Sequence, residues 1–184
     1  AIIKDGHLQI KDIKNEIKNP KIELLDMEIE ALEKAGYDYF MLKEIYEQPR
    51  SIFDSMRGRL NSSTGHLKMG GIEEHETKFK NAKRIIIIAC GTSWHAGMVA
   101  EYLFEEYTRI PVEVEYASEF RYRNPIIYPD DIVIAISQSG ETADTLAAIE
   151  LAKSKGAIIF GVCNVVGSSI ARATHAGSYT HAGP

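Results

Sequence analysis

The chain has 184 residues, of which 45% are hydrophobic and 26% charged, and its formal net charge at pH 7 is -5. This composition is that of a globular protein long enough for one well-buried domain and an appendage. The negative net charge does not indicate binding to nucleic acid or to an anionic membrane surface. No run approaches the roughly 18 apolar residues that a membrane span needs.

The two cysteines, Cys90 and Cys163, stand at the ends of predicted buried strands. We expect them to be reduced packing residues rather than a disulfide, as in a cytoplasmic protein. No set of His, Cys, Asp and Glu has metal-ligand spacing, so the sequence predicts no metal site and calls for no cofactor.

The amino-terminal stretch Ile2–Ile13 predicts a hairpin with its turn at Asp5 and Gly6. A single hairpin is marginal alone, so we expect it to complete a larger sheet. The chain begins at Ala1 rather than Met and stops within an expected loop at Thr180–Pro184. We therefore expect this chain to be a piece of a longer protein.

Helical patterns follow the hairpin. Glu23–Lys34 predicts a charged helix that Gly36 breaks, Tyr39–Glu47 predicts a second helix that ends at Pro49, and Arg50–Leu60 predicts a third. The Tyr, Phe and Met side chains of this region are more typical of a core or a helix-docking surface than of a cofactor site.

Strands and helices alternate from residue 84 onward, after a loop and domain boundary at Asn61–Gly71 and one short helix within Ile72–Asn81. The predicted strands are Arg84–Cys90, Val112–Tyr116, Ile132–Ser137, Ala157–Cys163 and Gly177–Thr180. The predicted helices are Ser93–Tyr107, Ala117–Tyr122, Thr142–Lys155 and Ser168–Ala173. This order predicts an α/β fold with a doubly wound, mostly parallel five-stranded sheet flanked by helices.

Small polar residues follow the first and third of these strands. They are Gly91, Thr92 and Ser93 in the first turn and Ser137, Gln138, Ser139, Gly140, Glu141 and Thr142 in the second. Parallel strands end at one edge of a sheet, where unpaired helical N–H groups and the helix dipole favour an anion. No Lys or Arg lies between Asp131 and Ala152, so we predict a phosphate site that relies on dipoles rather than a cation.

A simpler interpretation is that Ser139 only caps the following helix and that the other hydroxyls are solvated. A second turn of the same kind favours a shared ligand instead. Neither the G-x-G-x-x-G pattern nor the P-loop pattern occurs, so the sequence lacks the motifs that indicate binding of dinucleotides or nucleoside triphosphates. A small sugar phosphate needs only one anion site with hydroxyl and amide partners.

Four blocks carry a family resemblance: Cys90–Ser93, Ala117–Arg123, Ser137–Thr145, and Cys163–Val165 with Gly167–Ser169. In this order they resemble the first sugar isomerase (SIS) half of the glutamine:fructose-6-phosphate amidotransferases, over roughly Tyr37–Pro184. The resemblance implies a SIS domain of flavodoxin-like or Rossmann-like type with a helical amino-terminal segment. It further implies that residues 1–36 end a glutaminase domain and linker, 37–82 form helices and a loop, and 83–184 form the first SIS domain, before a second one.

The resemblance also implies a function in making glucosamine 6-phosphate from fructose 6-phosphate and glutamine, in a cytoplasmic homodimer. The glutamine would be used by the glutaminase domain. It implies a site with phosphate contacts at Ser93, Ser137, Gln138, Ser139 and Thr142, sugar contacts at Thr92, and close backbone approach at Gly91 and Gly140. The family's catalytic Glu, Lys and His belong to the second half, so we expect this piece to bind the sugar phosphate without turnover and to contain no catalytic residue.

Two further interpretations stay open. Glu141 adjoins the predicted site, but a carboxylate in a first helical turn is well explained by the helix dipole. Glu119, Arg121 and Arg123 organise either a dimer or site wall, or only a salt-linked turn. For the whole chain, the alternative is a noncatalytic sugar-phosphate sensor of a regulator.

Overall fold

The computed structural model describes residues 2–5, 7–19 and 34–183. The helix predicted over Glu23–Lys34 lies outside these residues except for its last position. The strands are β1 (Ile2–Lys4), β2 (His7–Lys11), β3 (Ile17–Lys18), β4 (Leu60–Asn61), β5 (His66–Leu67), β6 (Ile85–Ala89), β7 (Val112–Tyr116), β8 (Ile132–Ser137), β9 (Ile158–Cys163) and β10 (Ala176–Tyr179). The helices are α1 (Phe40–Met56), α2 (Gly70–Glu73), α3 (Glu76–Lys80), α4 (Thr92–Thr108), α5 (Ala117–Tyr122), α6 (Ala143–Ser154) and α7 (Ser169–Ala173).

A five-stranded sheet forms the centre of the fold, with the order β10-β9-β8-β6-β7 and every pairing parallel. All five residues of β6 are buried, as are five of the six in β8. Such continuous apolar strands arise because helices cover both faces of a parallel sheet. The predicted α/β fold with a five-stranded parallel sheet is confirmed.

The two faces of the sheet carry separate cores. On one face Ile86, Val133 and Ile159 pack with Phe120 and Ile149 from α5 and α6. The other face carries alternate residues of the same strands, among them Ile85, Ile87, Ile134 and Phe160. A Cβ placed on Gly97 of α4 would stand 3.0 Å from Ile87 Cγ2, so glycine lets α4 lie close against the second face.

The direction of strand addition reverses between β6 and β8. The chain passes from β6 outward to β7 and then returns to the other side of β6 to form β8. In doubly wound sheets, ligands bind at this reversal, outside the carboxyl ends of the strands. Ala89 pairs with Ile136, so β6 and β8 end side by side. The fold therefore places the turns after β6 and β8 next to each other.

A polar cluster joins the amino ends of three strands at the opposite edge. Arg84 Nη2 lies 2.5 Å from Asp131 Oδ2, and its Nη1 lies 3.2 Å from Glu113 Oε1. The side chain of Asp131 is only 2% exposed, and its carboxylate also accepts the Tyr128 N–H at 2.8 Å. Hydrogen bonding to Asp131 raises the pKa of Arg84. This cluster fixes the end of the sheet that faces away from the predicted site.

The imidazole of His175 forms a hydrogen bond with β9 of the central sheet. The N–H of Ile159 in β9 donates to Nδ1 of His175 at 3.0 Å. This bond requires the Nδ1 atom to be unprotonated, so it holds the ring in its neutral form. Partial burial, helped by the nearby charge of Lys153, lowers the pKa of His175.

Proline does not end the second predicted helix. The structure has one helix, α1, that continues through Pro49. An internal proline removes one N–H and costs about 3 kcal/mol, which is why the sequence predicted a break. Side-chain pairs one turn apart support the helix on each side, Lys43 with Glu47 and Arg50 with Asp54.

Small elements elsewhere refine the predictions. The hairpin β1–β2 is confirmed, and β3 adds a third antiparallel strand. The stretch predicted as a loop contains the two-residue pair β4–β5. The single helix predicted within Ile72–Asn81 is two short helices, α2 and α3, interrupted at Glu74 and His75.

The apolar side chains of α1 are exposed rather than buried. Phe40, Met41, Ile45 and Phe53 are each more than half exposed within the part of the chain that the structure describes. Of the two alternatives, a core or a helix-docking surface, this exposure favours the docking surface, which stays a prediction. No helix among the described residues is long and apolar enough to cross a membrane.

Candidate functional site

A cavity of about 280 Å³ opens at the carboxyl ends of β6 and β8. Its lining consists of Cys90, Gly91, Thr92, Ser93, Ile136, Ser137, Gln138, Ser139 and Thr142. The two polar turns, 44 or more positions apart in the sequence, thus face one space. Of the residues predicted for the site, only Gly140 is absent from this lining.

The first turn depends on the backbone of Gly91. This residue has φ 58° and ψ -134°, a conformation that residues with a Cβ rarely adopt. It lets the chain leave β6 and begin α4 at Thr92 at once. The N–H groups of Trp94 and His95 donate to the Gly91 carbonyl at 3.1 and 3.3 Å. The preceding N–H groups of α4 have no acceptor within the helix and remain for a ligand at this edge.

Hydroxyl groups brace the second turn from inside. The Gly140 N–H donates to Ser137 Oγ at 3.0 Å, and Ser137 Oγ lies 3.2 Å from Thr142 Oγ1. Ser137 is only 4% exposed, whereas Gln138 and Ser139 are exposed at the cavity. The hydroxyls therefore fix the shape of the turn as well as lining the cavity.

The structure decides against Ser139 as a helix cap. The cap position of α6 is Thr142, and it makes no side-chain capping bond. Ser139 Oγ instead accepts the Glu141 N–H at 3.2 Å within the turn. Since no side chain occupies the first N–H groups of α6, its positive end stays open toward the cavity.

Gly140 approaches a neighbouring helix rather than the cavity. A Cβ at this position would stand 2.0 Å from Ser168 Oγ and 2.4 Å from Ser168 Cβ. Ser168 is only 3% exposed, and the Gly140 carbonyl accepts the Ile170 N–H at 2.9 Å. The close approach of Gly140 in this structure is to the start of α7, and the approach to a ligand that the resemblance implied stays a prediction. At Gly91, by contrast, an added Cβ would meet nothing within 4 Å.

Glu141 points toward α7 and does not line the cavity. Its Oε1 accepts the Ser169 N–H at 2.8 Å. Hydrogen bonds from Ser169, with the positive charge of Arg172, hold the pKa of Glu141 below its usual value. Glu141 is therefore ionised and engaged with a helix start, which agrees with the dipole explanation, although the helix is α7 rather than α6.

The two arginines of the Ala117–Arg123 block form ion pairs. Arg121 Nη1 lies 2.8 Å from Asp144 Oδ1, and Arg123 pairs with Glu115. Within the described residues these contacts are those of a salt-linked turn. Neither arginine lines the cavity between the two turns.

A second cavity, of about 600 Å³, continues from the first. The two share Thr92, Ser93, Ile136, Ser137 and Gln138. The remaining lining of the larger cavity is Glu44, Val162, Asn164, Thr180, Ala182 and Gly183. Together the cavities form one groove across the carboxyl ends of β6, β8 and β9.

The sequence patterns predicted no site residue in this second wall. Asn164 follows β9 directly, at the same edge as the two polar turns, and that position was the signal that could have found it. Glu44 could not be found in this way, because it reaches the groove from α1. Its placement depends on how that helix packs.

The groove combines open helix starts with neutral hydrogen-bonding groups. No Lys or Arg from the described ranges lines either cavity. No group of three or more His, Cys, Asp and Glu in those ranges could hold a metal ion. Such a lining can bind an anion through main-chain N–H groups, hydroxyls and an amide. Glu44 is the one carboxylate that lines it among the described residues.

Comparisons with known proteins match this architecture. Residues 78–184 match the SIS domain family. The chain is 57% identical to the glutamine–fructose-6-phosphate aminotransferase (isomerizing) of Bacteroides thetaiotaomicron, over the whole chain and 30% of that protein. It is 44% identical to form 2 of the human aminotransferase, over the whole chain and 27% of that protein. The chain therefore spans under a third of the length of these relatives.

A solved structure gives the same picture. The C-terminal domain of glucosamine-fructose-6-phosphate aminotransferase from Francisella tularensis superposes with a TM-score of 0.74 and 39% identity. The alignment covers 83% of this chain and 42% of that one.

Proposed function

Because the chain belongs to the SIS domain family, we propose that it is the sugar-phosphate-binding part of a glutamine–fructose-6-phosphate aminotransferase. The membership confirms the resemblance that the four sequence blocks predicted. The activity proposed for the whole protein is conversion of fructose 6-phosphate and glutamine into glucosamine 6-phosphate and glutamate. Residues 1–36 would then end the glutaminase domain, 37–82 would lead into the SIS domain, and 83–184 would form its first copy.

One observation carries the proposal: two hydroxyl-rich turns, each at the start of a helix, face a single cavity. In the proposed complex the phosphate lies against Ser93, Ser137, Gln138, Ser139 and Thr142. Thr92 lies where the sugar continues into the larger cavity. Two helix dipoles and several N–H and O–H donors supply the attraction that a lysine or arginine supplies elsewhere.

We propose that this chain binds the sugar phosphate and does not itself transfer protons. Sugar isomerisation needs a base to move a proton between adjacent carbons and an acid to open the ring. Glu141 is engaged with Ser169, and no carboxylate or imidazole lines the cavity between the two turns among the described residues. The larger cavity adds one carboxylate, Glu44, so the described lining of the groove holds no pair of acid and base groups. We propose that the acid and base come from another part of the full-length enzyme, which acts as a cytoplasmic homodimer.

Titration calorimetry of the 184-residue chain with fructose 6-phosphate tests the binding. The double variant Ser139→Ala, Thr142→Ala loses two donors to a charged group, so we expect affinity to fall by about 2 to 4 kcal/mol, or roughly 30- to 1,000-fold. Ser154→Ala, at the far end of α6, is the matched control and should bind as the parent does. Equal affinity of the double variant and the parent would show that these hydroxyls only shape the turn.

Turnover is the second measurement. We expect the 184-residue chain to release no glucosamine 6-phosphate or glucose 6-phosphate from fructose 6-phosphate, with ammonia present or absent. The full-length enzyme is the positive control. Isomerisation by the 184-residue chain would place the chemistry within these residues and would contradict the assignment.

A further inference from the structure

Asn164 joins two parts of the groove through its side chain and its main chain. Its Oδ1 accepts hydrogen bonds from Thr180 Oγ1 and from the Ala182 N–H, both at 2.8 Å. Its Nδ2 donates to the Gly183 carbonyl at 2.6 Å. Its main-chain N–H donates to the Gln138 carbonyl at 3.2 Å. One residue thus links the second polar turn to the segment that follows β10.

That segment, residues 180–183, forms a wall of the larger cavity. Thr180, Ala182 and Gly183 all line it. The segment has few other fixed contacts: the Thr180 N–H donates to the Cys163 carbonyl at 2.8 Å, and Ser51 Oγ donates to the Ala182 carbonyl at 3.2 Å. Asn164 provides three of its hydrogen bonds and is the contact that sets its position.

We propose that Asn164 is a positioning residue for the carbohydrate part of a sugar phosphate. By holding residues 180–183 in place, it preforms the wall against which the sugar lies once the phosphate occupies the cavity between the two turns. This inference rests on the proposed function, because it needs a ligand whose phosphate lies at the Ser137–Thr142 turn.

The two cavities make separate contributions to affinity. A bare phosphate needs only the smaller cavity, which Asn164 does not line. A sugar phosphate also needs the larger one, where Asn164 and the segment it holds are part of the lining. A wall that is ordered before binding spares the ligand the entropic cost of ordering it. Loss of the Asn164 side chain should therefore weaken the sugar phosphate selectively.

Titration calorimetry with two probes, fructose 6-phosphate and inorganic phosphate, tests this selectivity on the 184-residue chain. We expect Asn164→Ala to weaken fructose 6-phosphate binding about tenfold or more and phosphate binding by less than about threefold. The matched control is Val166→Ala, because Val166 is in the same loop, is 61% exposed and lines neither cavity. It should leave both affinities unchanged.

A milder variant covers the case in which Asn164→Ala does not fold. Thr180→Val removes one hydrogen bond to Asn164 and keeps the shape of the side chain. It should weaken fructose 6-phosphate binding about threefold or more and leave phosphate binding unchanged. Hydrogen exchange supplies an independent readout, since the Ala182 amide should exchange faster in either variant that folds.

The outcomes separate the inference from the proposed function. If the parent chain binds neither probe, the proposed function is wrong. The positioning role is overturned if the parent binds both probes and the variants weaken them equally, because the Asn164 side chain would then support the whole groove rather than the wall for the sugar. It is also overturned if the variants leave fructose 6-phosphate affinity unchanged, or if the parent binds fructose 6-phosphate no more tightly than phosphate.

Discussion

Substitution of Gly140 by alanine is the sharpest test of how the second polar turn is built. The residue has φ +70°, which costs an alanine roughly 1 to 2 kcal/mol. The new Cβ would also stand 2.0 Å from Ser168 Oγ, and relief of such overlap in a packed site costs about 1 to 3 kcal/mol. Since Ser168 is buried and follows directly on the loop before α7, it has little room to move. We expect Gly140→Ala to lower the free energy of unfolding by about 2 to 5 kcal/mol.

Urea unfolding followed by circular dichroism measures this loss, and two variants divide it. Gly167→Ala has the same kind of backbone, φ +72°, but its Cβ would meet nothing within 4 Å, so it should lose only the backbone part, about 1 to 2 kcal/mol. Adding Ser168→Gly to Gly140→Ala removes the overlapping atoms and should recover part of the loss relative to Ser168→Gly alone. If Gly140→Ala and Gly167→Ala cost the same, contact with Ser168 does not require the glycine.

Three other measurements address the sheet and the site. Asp131→Asn breaks a buried ion pair and should lower the free energy of unfolding by about 3 to 5 kcal/mol. Glu113→Gln, at the exposed end of the same cluster, should lower it by about 1 kcal/mol or less. Similar losses for the two variants would contradict the argument from burial. Because the pKa of His175 is lower in the folded chain than in the unfolded one, its contribution to stability is complete above about pH 6.5 and declines as the pH falls below that value. Urea midpoints between pH 7.5 and 5.5 should therefore fall more steeply for the parent than for His175→Ala, and parallel slopes would show that the ring does not contribute. Cys90 lines the cavity, whereas Cys163 is buried and burial raises its pKa, so a thiol reagent should modify Cys90 first. Fructose 6-phosphate should slow the modification of Cys90. A modification rate that saturating ligand leaves unchanged would contradict the proposed site.

Local patterns predicted most of the sheet correctly. The strands β6, β8 and β9 were predicted to within one or two residues, because each is an unbroken apolar run that suits a strand covered on both faces. The two polar turns were predicted to share a space because parallel strands end at one edge. Prediction failed where the local signal was ambiguous. Pro49 predicted the end of a helix that continues through it, and the glycine-rich stretch after Leu60 concealed a short hairpin.

The contact made by Gly140 depends on a residue that is distant in the sequence, so the sequence could not predict it. The sequence indicated that a glycine was needed in the turn, and the positive φ agrees. It could not indicate that the atoms in the way belong to Ser168, 28 positions later, because that contact depends on how α7 packs. Glu141 is similar: a carboxylate near a helix start was expected, but the helix it serves is the next one along the chain.

The sequence by itself determined the alternation of strands and helices, the two hydroxyl-rich turns and the absence of Lys and Arg between Asp131 and Ala152. These are local properties, set by side-chain type and spacing within about ten residues. Only the tertiary structure decided that Asn164 and residues 180–183 form the second wall of the groove and that Glu44 reaches it from α1. The physical reason is that strand order and helix packing bring together residues far apart in the chain, and no local pattern specifies which distant side chains will share a surface.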